Sequence, residues 1–93
     1  MNIKNIKIIK SDERGIMYDC GAVKFLSRKK GTISADHCHD DCECLYLVKG
    51  EAEFTCGKDV KTVKAPVKIE IERNVYHKLK ALCDIEIIED RRK

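Results

Sequence analysis

The amino-acid sequence predicts an all-β protein, and three observations support this prediction. Stretches of alternating apolar and polar residues recur along the chain, as in Glu51–Cys56 and Val67–Glu72, and this two-residue period is typical of half-buried strands. Turn-forming residues such as Gly57-Lys58-Asp59 separate these stretches at intervals of roughly 8–12 residues. No segment keeps the 3.6-residue apolar stripe of a helix. We therefore expect about nine or ten short strands, arranged as a closed barrel or a sandwich.

The chain is short enough for a single domain, which we place at residues 1–93. Its 93 residues are 43% hydrophobic and 38% charged, a composition typical of a folded globular protein. A chain of this length buries a thin core. We expect a metal ion, a partner subunit or cross-links to add stability.

Charge and hydropathy exclude several classes of partner. The net charge of +3 is small and the basic residues are interleaved with acids, so we expect no nucleic-acid binding. We interpret Arg28-Lys29-Lys30 as a solvated turn and Arg91-Arg92-Lys93 as a solvated tail. No apolar stretch approaches the ~20 residues that span a membrane, and no signal peptide is recognised. We expect a cytoplasmic protein, with a thermophile-like composition rich in Lys, Glu and Ile and without Gln.

Two histidines and a glutamate converge on one predicted face. His37 and His39 are two residues apart on a predicted strand, so their side chains leave the same face. A three-residue connection then returns the chain in the antiparallel direction, which places Glu43 beside His39. Ile33 and Ala35 share the parity of the two histidines. The predicted face therefore carries apolar side chains toward the protein interior and metal-binding side chains at its open end.

The remaining histidine of the chain, His77, begins another predicted strand whose inward face is otherwise apolar. Val75, Leu79 and Ala81 share its parity. Imidazole and carboxylate donors together suit Fe, Mn, Ni, Zn or Cu. The sequence thus predicts one site for one divalent transition metal ion.

A known motif covers the same residues. Gly31 to Gly50 match Gly-x5-His-x-His-x3-Glu-x6-Gly, the first motif of the cupin superfamily, at every fixed position. The second motif, Pro-x-Gly-x2-His-x3-Asn, is matched at its histidine by His77. Its other fixed positions are held by Glu72, Asn74 and Ala81. Asn tolerates the positive φ of the replaced glycine, so we expect the backbone bend to persist. The chain resembles the cupin superfamily over about residues 25–88.

This resemblance implies a single-domain jelly-roll β-barrel with a metal ion inside it. It assigns His37, His39, Glu43 and His77 as the metal ligands. Four ligands on a six-coordinate metal leave two positions for substrate, dioxygen or water. Cupins are often dimeric, and outward-facing Ile3, Ile8 and Val60 also favour a homodimer.

The inward parity of the strands predicts the lining of a pocket for a small molecule. The predicted lining residues are Phe25, Leu45, Leu47, Phe54 and Cys56. We expect no Arg or Lys to face this pocket. We also expect no general base beyond the metal ligands and bound water.

The cysteines divide into two predicted groups. Cys38, Cys42 and Cys44 alternate with the metal ligands, so they should face away from the metal. Cys38 and Cys44 would lie opposite each other as free thiols, as a disulfide or as a second thiol metal site. Cys56 and Cys83 have inward parity and are expected to be small apolar core residues, with contact between Cys56 and substrate as an alternative.

Two classes of function follow. Cupins similar to this chain include dioxygenases, isomerases, epimerases and decarboxylases, and the fold alone does not choose among them. Without an Arg or Lys in the pocket to bind a phosphate group, sugar-phosphate chemistry is disfavoured. Dioxygenase-type chemistry is therefore slightly favoured over isomerisation. The alternative is a non-catalytic module that binds or senses a small molecule or metal, consistent with short loops. A barrel whose metal only adds stability is a third possibility.

Overall fold

The computed structural model describes residues 1–37 and 40–92, with the backbone alone at residues 36, 37 and 92. This part of the chain forms ten strands and no helix. In chain order the strands are β1 (Lys7–Asp12), β2 (Gly15–Asp19), β3 (Lys24–Arg28), β4 (Ile33–His37), β5 (Cys42–Lys49), β6 (Glu51–Cys56), β7 (Asp59–Lys64), β8 (Val67–Ile71), β9 (His77–Ala81) and β10 (Ile85–Arg92). The prediction of an all-β chain of short strands is confirmed. With no helix present in this part, none could cross a membrane.

The strands form two antiparallel sheets. The larger sheet has the order β1-β2-β3-β10-β5-β8, and the smaller sheet has the order β4-β9-β6-β7. From β3 onward the chain crosses repeatedly between the two sheets, so that many strands next to each other in sequence belong to different layers. This alternation is the connectivity of a jelly roll.

The apolar core lies between the two sheets. The larger sheet contributes Leu26, Leu45, Leu47, Ile71, Ile85 and Ile87, and the smaller sheet contributes Ala52, Phe54, Leu79 and Ala81. Along each strand the buried positions are two residues apart, because successive side chains point to opposite faces. The alternation in the sequence therefore predicted the core side of the central strands correctly.

Gly50 is the one residue between β5 and β6. Its φ of 93° lies in the region that favours glycine. A Cβ here would stand 2.7 Å from Ile85 Cγ2 and 2.8 Å from the Asp84 carbonyl oxygen. The last fixed glycine of the motif is thus required by both backbone conformation and space.

The bend before β9 also follows the expectation. Asn74 has a φ of 62°, the conformation that asparagine adopts more readily than other non-glycine residues. The partial second motif therefore keeps its backbone turn without its glycine, and β9 begins at His77.

The β1–β2 hairpin is fixed against β3. The Ile16 N–H donates to Ser27 Oγ at 3.0 Å, and the Lys29 N–H donates to the Arg14 carbonyl at 2.8 Å. Within the hairpin, the Arg14 N–H and guanidinium both donate to the Asp12 carboxylate, and this pairing lowers the pKa of Asp12. The turn thus holds the Arg14 side chain at one end of the larger sheet.

Candidate metal centre and adjoining cavity

Glu43 and His77 meet between the sheets. Glu43 lies on β5 in the larger sheet, His77 begins β9 in the smaller sheet, and both side chains are fully buried. Glu43 shares its inward face with Leu45 and Leu47, as predicted. The Phe54 ring lies beside the His77 ring, with centroids 6.5 Å apart. The pair is thus flanked by apolar side chains of both sheets.

The polar atoms of this pair face each other. His77 Nε2 lies 3.3 Å from Glu43 Oε1. His77 Nδ1 lies 3.0 Å from the Val75 carbonyl oxygen, so Nδ1–H donates to that carbonyl. A hydrogen bond of this kind commonly orients a metal-binding histidine, because it leaves the other ring nitrogen free to coordinate. Arg91 Nε donates to the second Glu43 oxygen at 3.2 Å.

A register shift brings the backbone of His37 beside His77. On β4, Ile33 pairs with Lys80 and Ser34 with Leu79, and after an irregularity His37 pairs with His77. Ala35, with a φ of 55°, lies within this bulge. At the start of β4 the inward face is therefore not the predicted one. Ile33 is 43% exposed, whereas Ser34 is buried. The expectation that Ile33 points inward is therefore wrong.

The predicted ligand set is placed in part. Glu43 and His77 are together, His37 is in register with His77, and His39 lies outside the described residues. Among the side chains that the structure describes, no group of three or more His, Cys, Asp or Glu is arranged to hold a metal ion. The donor chemistry of the buried pair fits a transition metal, since Glu43 offers a carboxylate and His77 an oriented imidazole.

A cavity of about 240 Å³ adjoins this centre. Its walls combine apolar side chains of both sheets, namely Leu26, Leu45, Leu79 and Ile87, with polar side chains at its rim and ends. Leu45 is the one predicted pocket residue among the lining residues that the structure describes. The cavity is smaller than the roughly 300–1,000 Å³ typical of sites for drug-sized ligands, which suits a small molecule.

The other predicted pocket residues lie elsewhere. Leu47 and Phe54 are buried in the core. Phe25 is on the outer face of β3, because Leu26 and Arg28 occupy its inner face, and its ring packs against Tyr18 with centroids 6.1 Å apart. Assigning Phe25 to the pocket is therefore wrong.

Basic side chains line the cavity, contrary to the expectation. They are Lys10, Arg14, Lys24, Arg28 and Arg91. The interpretation of Arg28 as part of a solvated turn is wrong, because this residue is only 4% exposed. Residues 91 and 92 of the predicted solvated tail are instead the end of β10, and Arg91 contacts the buried Glu43. Strand parity was the available signal, since Arg28 shares a face with Leu26 and Arg91 shares one with Ile87.

Glu89 is a cavity residue that the sequence patterns did not single out. It follows Ile85 and Ile87 on the inner face of β10, and its carboxyl group lies near that of Glu43. Burial and then the Glu43 carboxylate raise the pKa of Glu89, while Arg91 and Lys24 act in the opposite direction. Glu89 is therefore a candidate proton donor or acceptor beside the metal centre.

The cysteines follow their predicted parity where they are described. Cys42 is exposed and Cys44 is half-buried on the face of β5 opposite to Glu43. Cys44 is a free thiol and Cys38 lies outside the described residues, so a disulfide or second thiol site there stays a prediction. Cys56 and Cys83 pack against the core, and Cys56 pairs with His77 on the neighbouring strand.

Comparison with known proteins identifies the fold. No protein-family model and no curated protein matches the sequence, whereas solved structures match the fold. A cupin 2 conserved barrel domain protein from Salinispora arenicola has a TM-score of 0.78 and 12% identity, covering 100% of this chain and 89% of that chain. A predicted oxalate decarboxylase from Thermotoga maritima has a TM-score of 0.70 and 18% identity, covering 74% of this chain and 63% of that chain.

A variant of salicylate 1,2-dioxygenase from Pseudoaminobacter salicylatoxidans also matches, with a TM-score of 0.70 and 11% identity, covering 81% of this chain and 21% of that chain. The chain spans less than two thirds of the length of the first structures matched, at 62%, 30% and 63%. At these identities the likeness establishes the fold. The chain has the jelly-roll fold of the cupin superfamily, as the motif from Gly31 to Gly50 indicated.

Proposed function

We propose that this cupin-fold chain binds one divalent transition metal ion and acts on a small molecule in the adjoining cavity. The proposed ligands are His37, His39, Glu43 and His77. The observation that carries the proposal is the buried contact of 3.3 Å between Glu43 and His77. Burying a carboxylate and an imidazole costs free energy, and coordination of a metal ion would offset that cost.

The residues around the centre have distinct roles in this proposal. A bound divalent metal would supply Lewis acidity and, if it is redox-active, electrons. The Val75 carbonyl orients His77, and Arg91 orients Glu43. Leucine and isoleucine side chains give the cavity apolar walls, and burial beside Glu43 raises the pKa of Glu89, which makes this residue a candidate proton donor or acceptor.

Dioxygenase-type chemistry remains the first reaction to test. The solved neighbours include a salicylate 1,2-dioxygenase and a predicted oxalate decarboxylase, which supports a reaction on a small molecule. The basic cavity residues and Glu89 remove the two sequence-based arguments against acid–base isomerisation. Isomerisation is therefore the next reaction to test.

Metal content and oxygen uptake test the proposal. Protein purified without added metal is expected to contain about one Fe, Mn, Ni, Zn or Cu ion per chain by elemental analysis. Protein loaded with Fe(II) is expected to consume dioxygen when thiols, diketones or aromatic carboxylates are added. A protein that retains none of these metals after loading and gel filtration would contradict metal binding. Absence of oxygen uptake with bound iron would contradict the dioxygenase assignment.

The alternative is a non-catalytic module that binds or senses a small molecule or metal. Short connections favour it, since Gly50 alone connects β5 to β6, and Gly57 and Lys58 alone connect β6 to β7. Such connections are too short for a catalytic lid. Ligand binding without turnover of any panel compound, in the metal-loaded protein, is the result expected for this alternative.

We also propose that two copies associate through β1. This strand is an edge of the larger sheet, and Ile3, Ile6, Ile8 and Ile9 at or before it are between 46% and 82% exposed. An open edge with apolar side chains can pair with a second copy across a two-fold axis. Light scattering is expected to give the mass of two chains for the wild type and for Ile33→Lys, and of one chain for Ile8→Lys. A monomeric wild type would contradict the interface.

A further inference from the structure

Arg28 is a buried cation without an ion-pair partner among the described side chains. Its side chain lies on the inner face of β3 and is only 4% exposed. One terminal nitrogen donates to the Ser27 carbonyl at 3.0 Å. Its Nε has no hydrogen-bond partner within the residues that the structure describes. Buried polar groups are nearly always hydrogen-bonded, so this donor needs an explanation.

The guanidinium of Arg28 lies with the residues that line the cavity. Burial lowers the pKa of Arg28, and the nearby Arg14 lowers it further, while Asp12 and Glu89 act in the opposite direction. Arg14 and Glu89 line the same cavity. Arg28 therefore shares the cavity with four other basic side chains, and in the described part of the chain no carboxylate is within hydrogen-bond distance of it.

The two other arginines of the cavity each donate to a carboxylate. Arg14 donates to the Asp12 carboxylate at 3.0 Å, and Arg91 donates to Glu43 at 3.2 Å. Among the described residues, Arg28 is thus the cavity arginine whose buried Nε–H has no acceptor. A guanidinium is well suited to carboxylates, because its N–H groups match the geometry of two carboxylate oxygens.

We propose that the cavity binds a small organic carboxylate, with the carboxylate on Arg28 and an apolar body along Leu26, Leu45, Leu79 and Ile87. The apolar walls disfavour a fully hydrated inorganic anion, and the basic lining favours a negative charge. The cavity continues to Glu89 and Arg91, next to Glu43, so the other end of the ligand would approach the metal centre. That such a carboxylate is the substrate rests on the proposed function, whereas its binding to Arg28 does not.

Calorimetric titration of metal-free and manganese-loaded protein, at constant ionic strength, tests this proposal. The probes are benzoate and hexanoate, their neutral amides, and inorganic phosphate. We expect at least one carboxylate to bind about tenfold or more tightly than its amide and than phosphate, because only the carboxylate combines charge with an apolar body. Equal binding of both carboxylates and their amides, or tighter binding of phosphate, would overturn the proposal.

Arg28→Met separates a binding role from a structural one. It removes the charge and keeps much of the side-chain volume, so we expect carboxylate affinity to fall about 10- to 100-fold while the melting temperature stays equal or rises. Lys29→Met, at the adjacent exposed position, is expected to change neither. Unchanged affinity in Arg28→Met would overturn the proposal. If that variant does not fold, the proposal is tested by whether the wild type binds a carboxylate more tightly than the corresponding amide.

The two proposals fail independently. A Glu43→Gln variant is expected to lose metal binding and to retain carboxylate binding at Arg28, since Arg28 lines the cavity and Glu43 does not. Metal binding without carboxylate preference would leave the proposed function standing and remove this inference. Carboxylate preference in a protein that binds no metal would support this inference and contradict the proposed function.

Discussion

Replacing His77 with alanine is expected to abolish stoichiometric metal binding. His77 is fully buried, its Nε2 faces Glu43 at 3.3 Å, and its Nδ1 is held by the Val75 carbonyl. Loss of a ligand should weaken metal affinity by about 100-fold or more, since removal of an outer partner alone typically costs about 10- to 100-fold. Elemental analysis after gel filtration measures the bound metal per chain.

Lys80→Ala is the matched control for this variant. Lys80 lies on the same strand, β9, but its side chain is exposed on the opposite face, so the control should keep its metal. Because His77→Ala also removes a ring that packs against Phe54, circular dichroism must show that the variant is folded. A folded His77→Ala protein that still binds one metal ion per chain would rule out the four-ligand centre.

Gly15→Ala is expected to produce the largest loss of stability among single substitutions outside the metal centre. A Cβ on Gly15 would lie 2.1 Å from the Ser27 carbonyl oxygen, and the φ of Gly15 is 138°. Neither backbone segment can move freely, because Ser27 Oγ accepts the Ile16 N–H. We expect a loss of about 3 kcal/mol or more in the free energy of unfolding. For a domain of this size the melting temperature should fall by roughly 12 °C or more.

Gly21→Ala separates the steric effect from the conformational one. Gly21 also has a positive φ, 88°, but no atom of the described residues lies within 4 Å of the position that an added methyl group would take. This variant should lose only about 1–2 kcal/mol, the cost of placing a side chain at positive φ. Equal melting temperatures for the two variants would show that the contact with Ser27 relaxes without cost.

The sequence predicted the fold well because the central strands alternate regularly. On β5, Glu43, Leu45 and Leu47 are buried while Cys42 and Cys44 face outward, as their parity required. The turn at Asn74 was also predictable, because few other side chains tolerate its positive φ. These features depend on local chemistry that can be inferred from the residues alone.

The β4 bulge could not be predicted in the same way. Ala35 has a positive φ, which alanine rarely adopts, and no residue in the sequence marks the shift. The expected face of β4 was therefore wrong at Ile33. The pairing of His37 with His77 is nevertheless achieved, because the bulge shifts the register by one residue before the predicted ligand.

The basic lining of the cavity was missed for a different reason. Runs of charged residues near the ends of strands are usually solvated. This rule predicts that Arg28 and Arg91 are exposed, whereas the alternation of side chains along each strand predicts that they face inward. Their positions on the inner faces of β3 and β10 follow from alternation with Leu26 and Ile87. Extending strand parity through charged segments would have found both arginines and Glu89.

The position of β10 has a consequence for how the chain folds during synthesis. This strand is the last of the ten to be made, yet it pairs with both β3 and β5 in the middle of the larger sheet. Until it leaves the ribosome, β3 and β5 each have an unpaired backbone edge, and the core residues Leu26, Leu45 and Leu47 lack their contacts with β10. The nascent chain should therefore depend on chaperones up to a late stage, and truncations that remove β10 should aggregate instead of forming a smaller stable domain.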